Sequence, residues 1–229
     1  MFAGRLQVIS LIDKIDNFEL IRDQIAYLLA LESANQQALA IQESKNAGDY
    51  KIRVFTEQSN PWEQYLDVDP DTSPIVNVWF DNSSFDPSAS NTIERQKSDS
   101  IFNIDCYGYG ISQDNSGQGH TAGDKEAAIQ TQKALRFVRN VLMAGENTHL
   151  KLQGLVWSRW PESMTMFQPS FDSNEVQKVS GGRLSLRVMF NEFSPQVREE
   201  TLEYLAIDLI RSDNGEIIAE ADFDYTALP

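Results

Sequence analysis

Few residues in this chain have types and spacings that could do chemistry. The glycine-rich stretch Gly117-Gln118-Gly119-His120-Thr121-Ala122-Gly123-Asp124-Lys125 suggests a phosphate cradle. A P-loop needs Lys directly after its last Gly and then Ser or Thr. Here Asp124 intervenes and Glu126 follows the Lys, so carboxylates would face the phosphate. A dinucleotide fingerprint fails as well, because Gly119 has no Gly three positions on. The stretch is expected to be a flexible lead-in to a helix. His120, His149 and Cys106 are the whole supply of His and Cys, and their spacing matches no zinc site. A nucleophilic Cys106 would need exposure beside a base. Its place in a strand with Phe102 and Ile104 predicts a small core residue instead. Asp67, Asp69 and Asp71 alternate around Pro70, but they lack the Gly and terminal Glu of a calcium loop. Trp157, Arg159 and Trp160 could stack a base or a sugar; the alternative is a strand end packed in a core or a subunit interface. The expectation is a protein without catalytic residues, metal or cofactor.

The elements that would hold these residues are legible in outline. Asp16 or Asn17 can cap a helix whose apolar stripe is Phe18, Ile21, Ile25, Leu28, Leu29 and Ala34, ending near Asn46-Ala47-Gly48. Short β-branched runs at Ile52–Phe55 and Ile75–Phe80 read as strands. Residues 81–100 are almost wholly polar and predict an extended projecting tip between two antiparallel strands. In Ile101–Ile111, Phe102, Ile104, Cys106 and Gly108 share one face, and Asn103, Asp105, Tyr107 and Tyr109 the other. A second helix starts near Thr121 or Asp124 and stops at Gly145. Its stripe is Ala128, Leu135, Val138, Val141 and Leu142, with Lys133, Arg136 and Arg139 outside it. Leu150, Leu152 and Val156 suggest a strand ending near Trp160. Leu184, Leu186, Val188 and Phe190 alternate strictly with Ser185, Arg187, Met189 and Asn191. Asp213-Asn214-Gly215 between Glu203–Arg211 and Glu216–Tyr225 predicts a hairpin. The fold class is α+β: a mainly antiparallel sheet with two helices on one face, plus a C-terminal β-hairpin. Two parts are expected: a core over 1–198, with its projecting hairpin at about 81–100, and a hairpin extension over 199–229.

The totals narrow the function. Of 229 residues, 34 are acidic and 19 basic, a formal net charge of -15. That argues against nucleic-acid binding through a basic footprint and against an anionic membrane surface. One cysteine excludes an intramolecular disulfide and favours a reducing compartment. MFAGRLQVIS contains no apolar run of leader length, so no secretory signal is expected.

The segments Pro74-Ile75-Val76-Asn77-Val78 and Ile101-Phe102-Asn103-Ile104-Asp105-Cys106-Tyr107-Gly108, a helix over Asp124–Leu142, and Gly182-Arg183-Leu184-Ser185-Leu186-Arg187-Val188 carry a resemblance. In order and texture, residues 17–194 resemble the tail terminator (tail completion) proteins of tailed bacteriophages. The resemblance implies a non-enzymatic subunit of a closed, hexameric ring in the virion neck, assembled in the host cytoplasm. Such a ring caps the tail tube, ends its polymerisation and joins it to head-connector or neck proteins, with the sheath as a further partner. DNA passes through without specific binding. Candidate contacts to neighbouring subunits or neck proteins are Phe85, Ile93, Trp157, Arg159 and Trp160. Candidate channel-facing carboxylates are Glu94, Asp99 and Asp105, which would repel DNA phosphates. The alternatives are another ring of the same particle (a connector-completion, sheath-associated or tube protein), or an enzyme or small-molecule binding module of a host.

Overall fold

The computed structural model describes residues 13–67, 70–85, 96–114, 120–169, 178–192, 204–210 and 217–224; for 113–114, 120–121 and the last two segments it describes the backbone alone. The first helix, α1 (Asn17–Gln42), begins after Asp16, whose N–H donates to the Glu19 carboxylate at 2.9 Å. That bond satisfies one of the donors a helix start leaves open. Ile21, Ile25, Leu28 and Leu29 are buried as their spacing predicts. Ala34 is exposed, and Ser33 takes its inward place. Ser33 is tolerated there because its hydroxyl accepts from the Ile52 N–H at 3.0 Å.

Strand β1 (Arg53–Thr56) lies parallel to β2 (Ile75–Phe85), β2 antiparallel to β3 (Gln96–Tyr109), β3 to β7 (Val179–Glu192), and β7 to β6 (Val156–Phe167). The spatial order is β1-β2-β3-β7-β6. A small ribbon, β4 (Gln113–Asp114) with β5 (His120–Thr121), precedes α2 (Gly123–Met143). Both helices cover one sheet face. Val76, Val78, Phe102, Ile104, Cys106, Leu184, Leu186 and Val188 form that face, fully buried against Ile25 and Leu29 of α1 and Val138 and Leu142 of α2. The α+β reading therefore holds, and so do the predicted faces of β3 and β7.

Two glycines set the approach of α2 to the sheet. A Cβ on Gly108 would sit 2.5 Å from the Ala127 carbonyl oxygen and the Thr131 nitrogen, and one on Gly182 would sit 2.6 Å from a Leu135 methyl. The stripe of α2 therefore begins at Ala127, one residue before the expected Ala128.

Two further expectations are corrected. The polar run 81–100 is not wholly a projection, since 81–85 and 96–100 continue β2 and β3 within the sheet. Ser98 and Ser100 are fully buried because they form a closed triangle of hydroxyls with Ser83, at 2.5, 2.9 and 2.8 Å. Polar residues can continue a sheet when each buried hydroxyl has its partners. The tip proper, 86–95, lies outside the described residues. The strand expected to end near Trp160 instead begins at Val156. Leu150 and Lys151 are in the left-handed region (φ 52° and 57°), so the segment before it turns rather than extends.

The chain divides into two compact units: Ile15–Ser194, and Met1–Lys14 with Pro195–Pro229. The expected 199–229 extension falls inside the second. There, β8 (Tyr204–Ile210) pairs antiparallel with β9 (Ile217–Asp224) as the hairpin reading required.

Candidate subunit interface

The sheet face away from the helices buries Tyr65, Ile75, Tyr107 and Val179 in a second apolar cluster, and most of its polar groups pair across strands. Asp105 on β3 accepts from Arg183 on β7 at 2.7 and 3.0 Å and from the Trp79 indole on β2 at 2.9 Å. The Arg183 guanidinium lies 4.8 Å from the Trp79 ring centre and 5.7 Å from that of Phe167. Farther along the face, Arg187 pairs with Asp99 at 3.3 Å and Glu162 at 2.5 Å and lies 5.9 Å from the Trp160 ring centre. Lys97 sits 5.2 Å from the Trp157 ring centre. Asn77 is bonded to the Gln58 backbone, and Ser185 to Asn103.

Two of the candidate channel-facing carboxylates are thus paired with arginines. Asp105 is only 4% exposed, and Asp99 is paired, so neither is a free anion. An arginine of β7 offsets each charge. The alternation of β7 put Arg183 and Arg187 on this face, which could have disclosed the pairing once β7 was placed beside β3. Glu94 and Ile93 lie outside the described residues.

A cleft of about 450 Å³ opens on the same face, walled by Trp62, Trp79, Tyr107 and Phe167 over Asp105 and Arg183. A second cleft, of about 350 Å³, lies on the helix side between Tyr50, Ile52, Phe137 and Val141; either is large enough for a small molecule. Burial raises the Tyr107 hydroxyl above its ordinary range, and the Asp105 charge adds to that. The central charged pair at the floor of the open-face cleft is mutually satisfied, as is Asn77.

The expected Trp157-Arg159-Trp160 cluster is not one cluster. Trp160 is in register with Arg187 on the open face, whereas Arg159 is in register with Val188 on the helix side. Arg159 donates to the carbonyls of Ala144 and Asn147, both at 2.9 Å, just past α2. It satisfies open carbonyls and places positive charge at the negative end of the helix. Arg159 is thus a capping residue of the fold.

The remaining candidates gather at the sheet margin. β6 is an outer strand, and Trp157, Trp160, Met164 and Met166 are all exposed along it, the tryptophans on the open face and the methionines on the helix side. Sequence reasoning missed both methionines, because Pro161 and the polar residues around it hide the strand. Phe85 is half exposed at the end of β2. Its row runs through Ser98 and Phe190 to Val156, next to Trp157. β6 carries irregularities at 156–158 and 161–163, the second starting at Pro161. These break the run of free backbone groups a new strand would need, so this margin is suited to side-chain contacts.

Among the described residues, no three His, Cys, Asp or Glu side chains gather as a metal site, and no helix is long and apolar enough to cross a membrane. Comparison with protein-family models and with curated proteins finds no match for the sequence.

Proposed function

We propose that the protein is a structural subunit of a closed ring in the neck of a tailed bacteriophage. The ring caps the tail tube, ends its polymerisation and joins it to the head connector while DNA passes. The observation that carries this reading is the outer strand β6, which presents two tryptophans and two methionines to solvent on a margin resistant to strand addition. Such a row needs a side-chain partner, and Trp and Met are enriched where protein surfaces meet. A sheet with such a contact on one margin and a different surface elsewhere associates head to tail, which gives rings when the rotation closes. The resemblance over residues 17–194 supplies the particle and the place within it. The arginine pairing of Asp99 and Asp105 means that repulsion of DNA would rest on other carboxylates of this acidic chain.

Electron microscopy and native mass of the purified chain test this. Closed rings that halt growth of a tail-tube protein are expected. Filaments of the chain alone would make it a tube subunit, and a strict monomer would remove the ring reading. The open-face cleft favours a binding module only if a small ligand occupies it, and its mutually bonded Asp105 and Arg183 argue against that.

A further inference from the structure

We propose that the outer face of α1 docks on the same face of a second copy, with the two helices antiparallel. The contact is separate from the β6 margin, and the assembly it joins rests on the ring reading above. Ile25 and Leu29 hold α1 on the sheet. On the opposite side Leu20, Gln24, Tyr27, Leu31, Ala34, Ala38 and Ile41 recur at alternating steps of four and three. Such a seven-residue repeat is the seam by which one helix packs on another. All of these but Gln24 are exposed, Tyr27 by 59% and Ile41 by 67%. Among the exposed residues of α1 from Leu20 onwards, Asp23 alone is charged, and Arg22 pairs with it at 2.8 Å. A surface helix ordinarily turns charged residues outward. One that is apolar on two opposite faces needs a second partner besides the sheet.

The seam itself describes that partner. Its large residues, Leu20, Tyr27 and Leu31, come first, and the small Ala34 and Ala38 follow. A parallel pair would set Tyr27 on Tyr27 and leave a gap at the alanines. An antiparallel pair with Leu31 opposite Ala34 of the other copy also sets Tyr27 opposite Ala38, so large meets small along the seam. Asp23 then falls opposite Gln42. The residues flanking the seam towards its second half, Asn35, Gln37 and Gln42, are uncharged amides, so two copies meet there without like charges opposed. Covering the stripe on both copies removes about 1,000 Å² from solvent, the least that a specific interface needs. A contact of that size is weak alone and holds by repetition, as between two rings whose facing subunits pair about two-fold axes.

A bilayer surface is the other apolar partner for such a stripe, but helices that lie in a membrane interface are rich in Lys and Arg on their polar side. α1 has no Lys and one Arg, which is already paired. A second uncharged seam of matching period is the better partner, and this chain supplies one.

The test is native mass and sedimentation of the full chain and of Y27E/L31E, after circular dichroism shows the fold unchanged. Both positions are exposed, so the melting temperature should stay within about 2 °C of the parent. The parent is expected as paired rings and the variant as single rings of half the mass. Direction is read by cross-linking, with the native Cys106 buried out of reach. Mixed Y27C and A38C chains should form a disulfide-linked pair on oxidation. A38C alone should not, because antiparallel packing sets its two copies roughly 16 Å apart along the axis. Single rings in the parent, with a mass that Y27E/L31E leaves unchanged, would overturn the α1 contact and leave the ring reading standing. Without rings the ring reading falls, and the α1 contact survives only if the parent dimerises at high concentration and Y27E/L31E does not. Ready A38C–A38C linkage would overturn the antiparallel direction. Binding of the parent to phosphatidylcholine vesicles, lost in Y27E/L31E with no change of mass, would assign the face to a membrane instead.

Discussion

Arg183 holds both carboxylate oxygens of Asp105, and the two partners differ in burial: the Asp105 side chain is 6% exposed and that of Arg183 37%. The arginine thus closes over a carboxylate that the sheet has taken from water. Removing the cap should cost more than removing a surface ion pair and less than breaking a fully buried one. R183A is expected to destabilise by about 2 kcal/mol in urea unfolding, with a clear coupling to D105A in a double-mutant cycle. Additive single effects would show that the pair is ornamental.

Cys106 is fully buried among Phe102, Ile104 and the two helices. Burial pushes its thiol well above the ordinary range. The native protein should resist a thiol reagent until it unfolds, and C106S should cost about 1–3 kcal/mol for an added polar group in an apolar site. Rapid labelling in the folded state would contradict the strand faces described above.

Gly108 has a steric duty. A methyl there would meet helix backbone at 2.5 Å, which no rotamer change can relieve. G108A is expected to lower stability by about 2 kcal/mol or more by pushing α2 off the sheet. G145A is the control, since nothing lies within 4 Å of a Cβ there. Equal melting temperatures for the two variants would refute the close approach.

The parts of the fold that could be read from sequence are those whose pattern repeats. β7 alternates without a break, α1 carries its stripe from a capped start, and Asn214-Gly215 separates two alternating runs. The parts that could not be read depend on partners distant in the chain. Nothing local says that Ser98 and Ser100 are buried, because their hydroxyls are satisfied by Ser83 across a polar tip. Arg159 looked like a stacking residue because Trp157 and Trp160 are its neighbours in sequence. Strand parity sends it to the other side, where the carbonyls beyond α2 await a donor. The edge strand β6 was misplaced for the same reason that it can serve as an edge: a proline and polar residues blunt its pattern.

Asp71 gives the acid side of the stability profile. Burial alone would raise its pKa, but the Lys51 ammonium at 2.6 Å, Ser73 and Arg53 outweigh burial and hold it well below the usual carboxylate range. A depressed folded-state value means that the contribution is present above the unfolded value near 3.8 and is lost as pH falls below it. Unfolding midpoints should therefore drop as pH falls from about 4 towards 2, and D71N should flatten that part of the curve. An unchanged slope in D71N would assign acid sensitivity to other carboxylates.

The outer strand offers the sharpest separation of folding from assembly. Met164 and Met166 are 47% and 45% exposed, so replacing both by lysine adds little strain to the single subunit. In an assembled contact the same lysines would have to be desolvated against apolar groups, which costs several kcal/mol per uncompensated charge. M164K/M166K should keep its melting temperature within about 2 °C of the parent, as surface substitutions do. It should nevertheless shift the native mass from ring to monomer. W160A is a useful companion, because its ring also covers Arg187; a modest stability loss is expected beside the assembly defect. Raising the salt concentration separates this apolar contact from charged ones, since screening weakens ion pairs but not apolar burial. Rings that persist in M164K/M166K at low and high salt would mean that β6 faces solvent in the assembled state, and the contact between subunits would have to be sought on another surface.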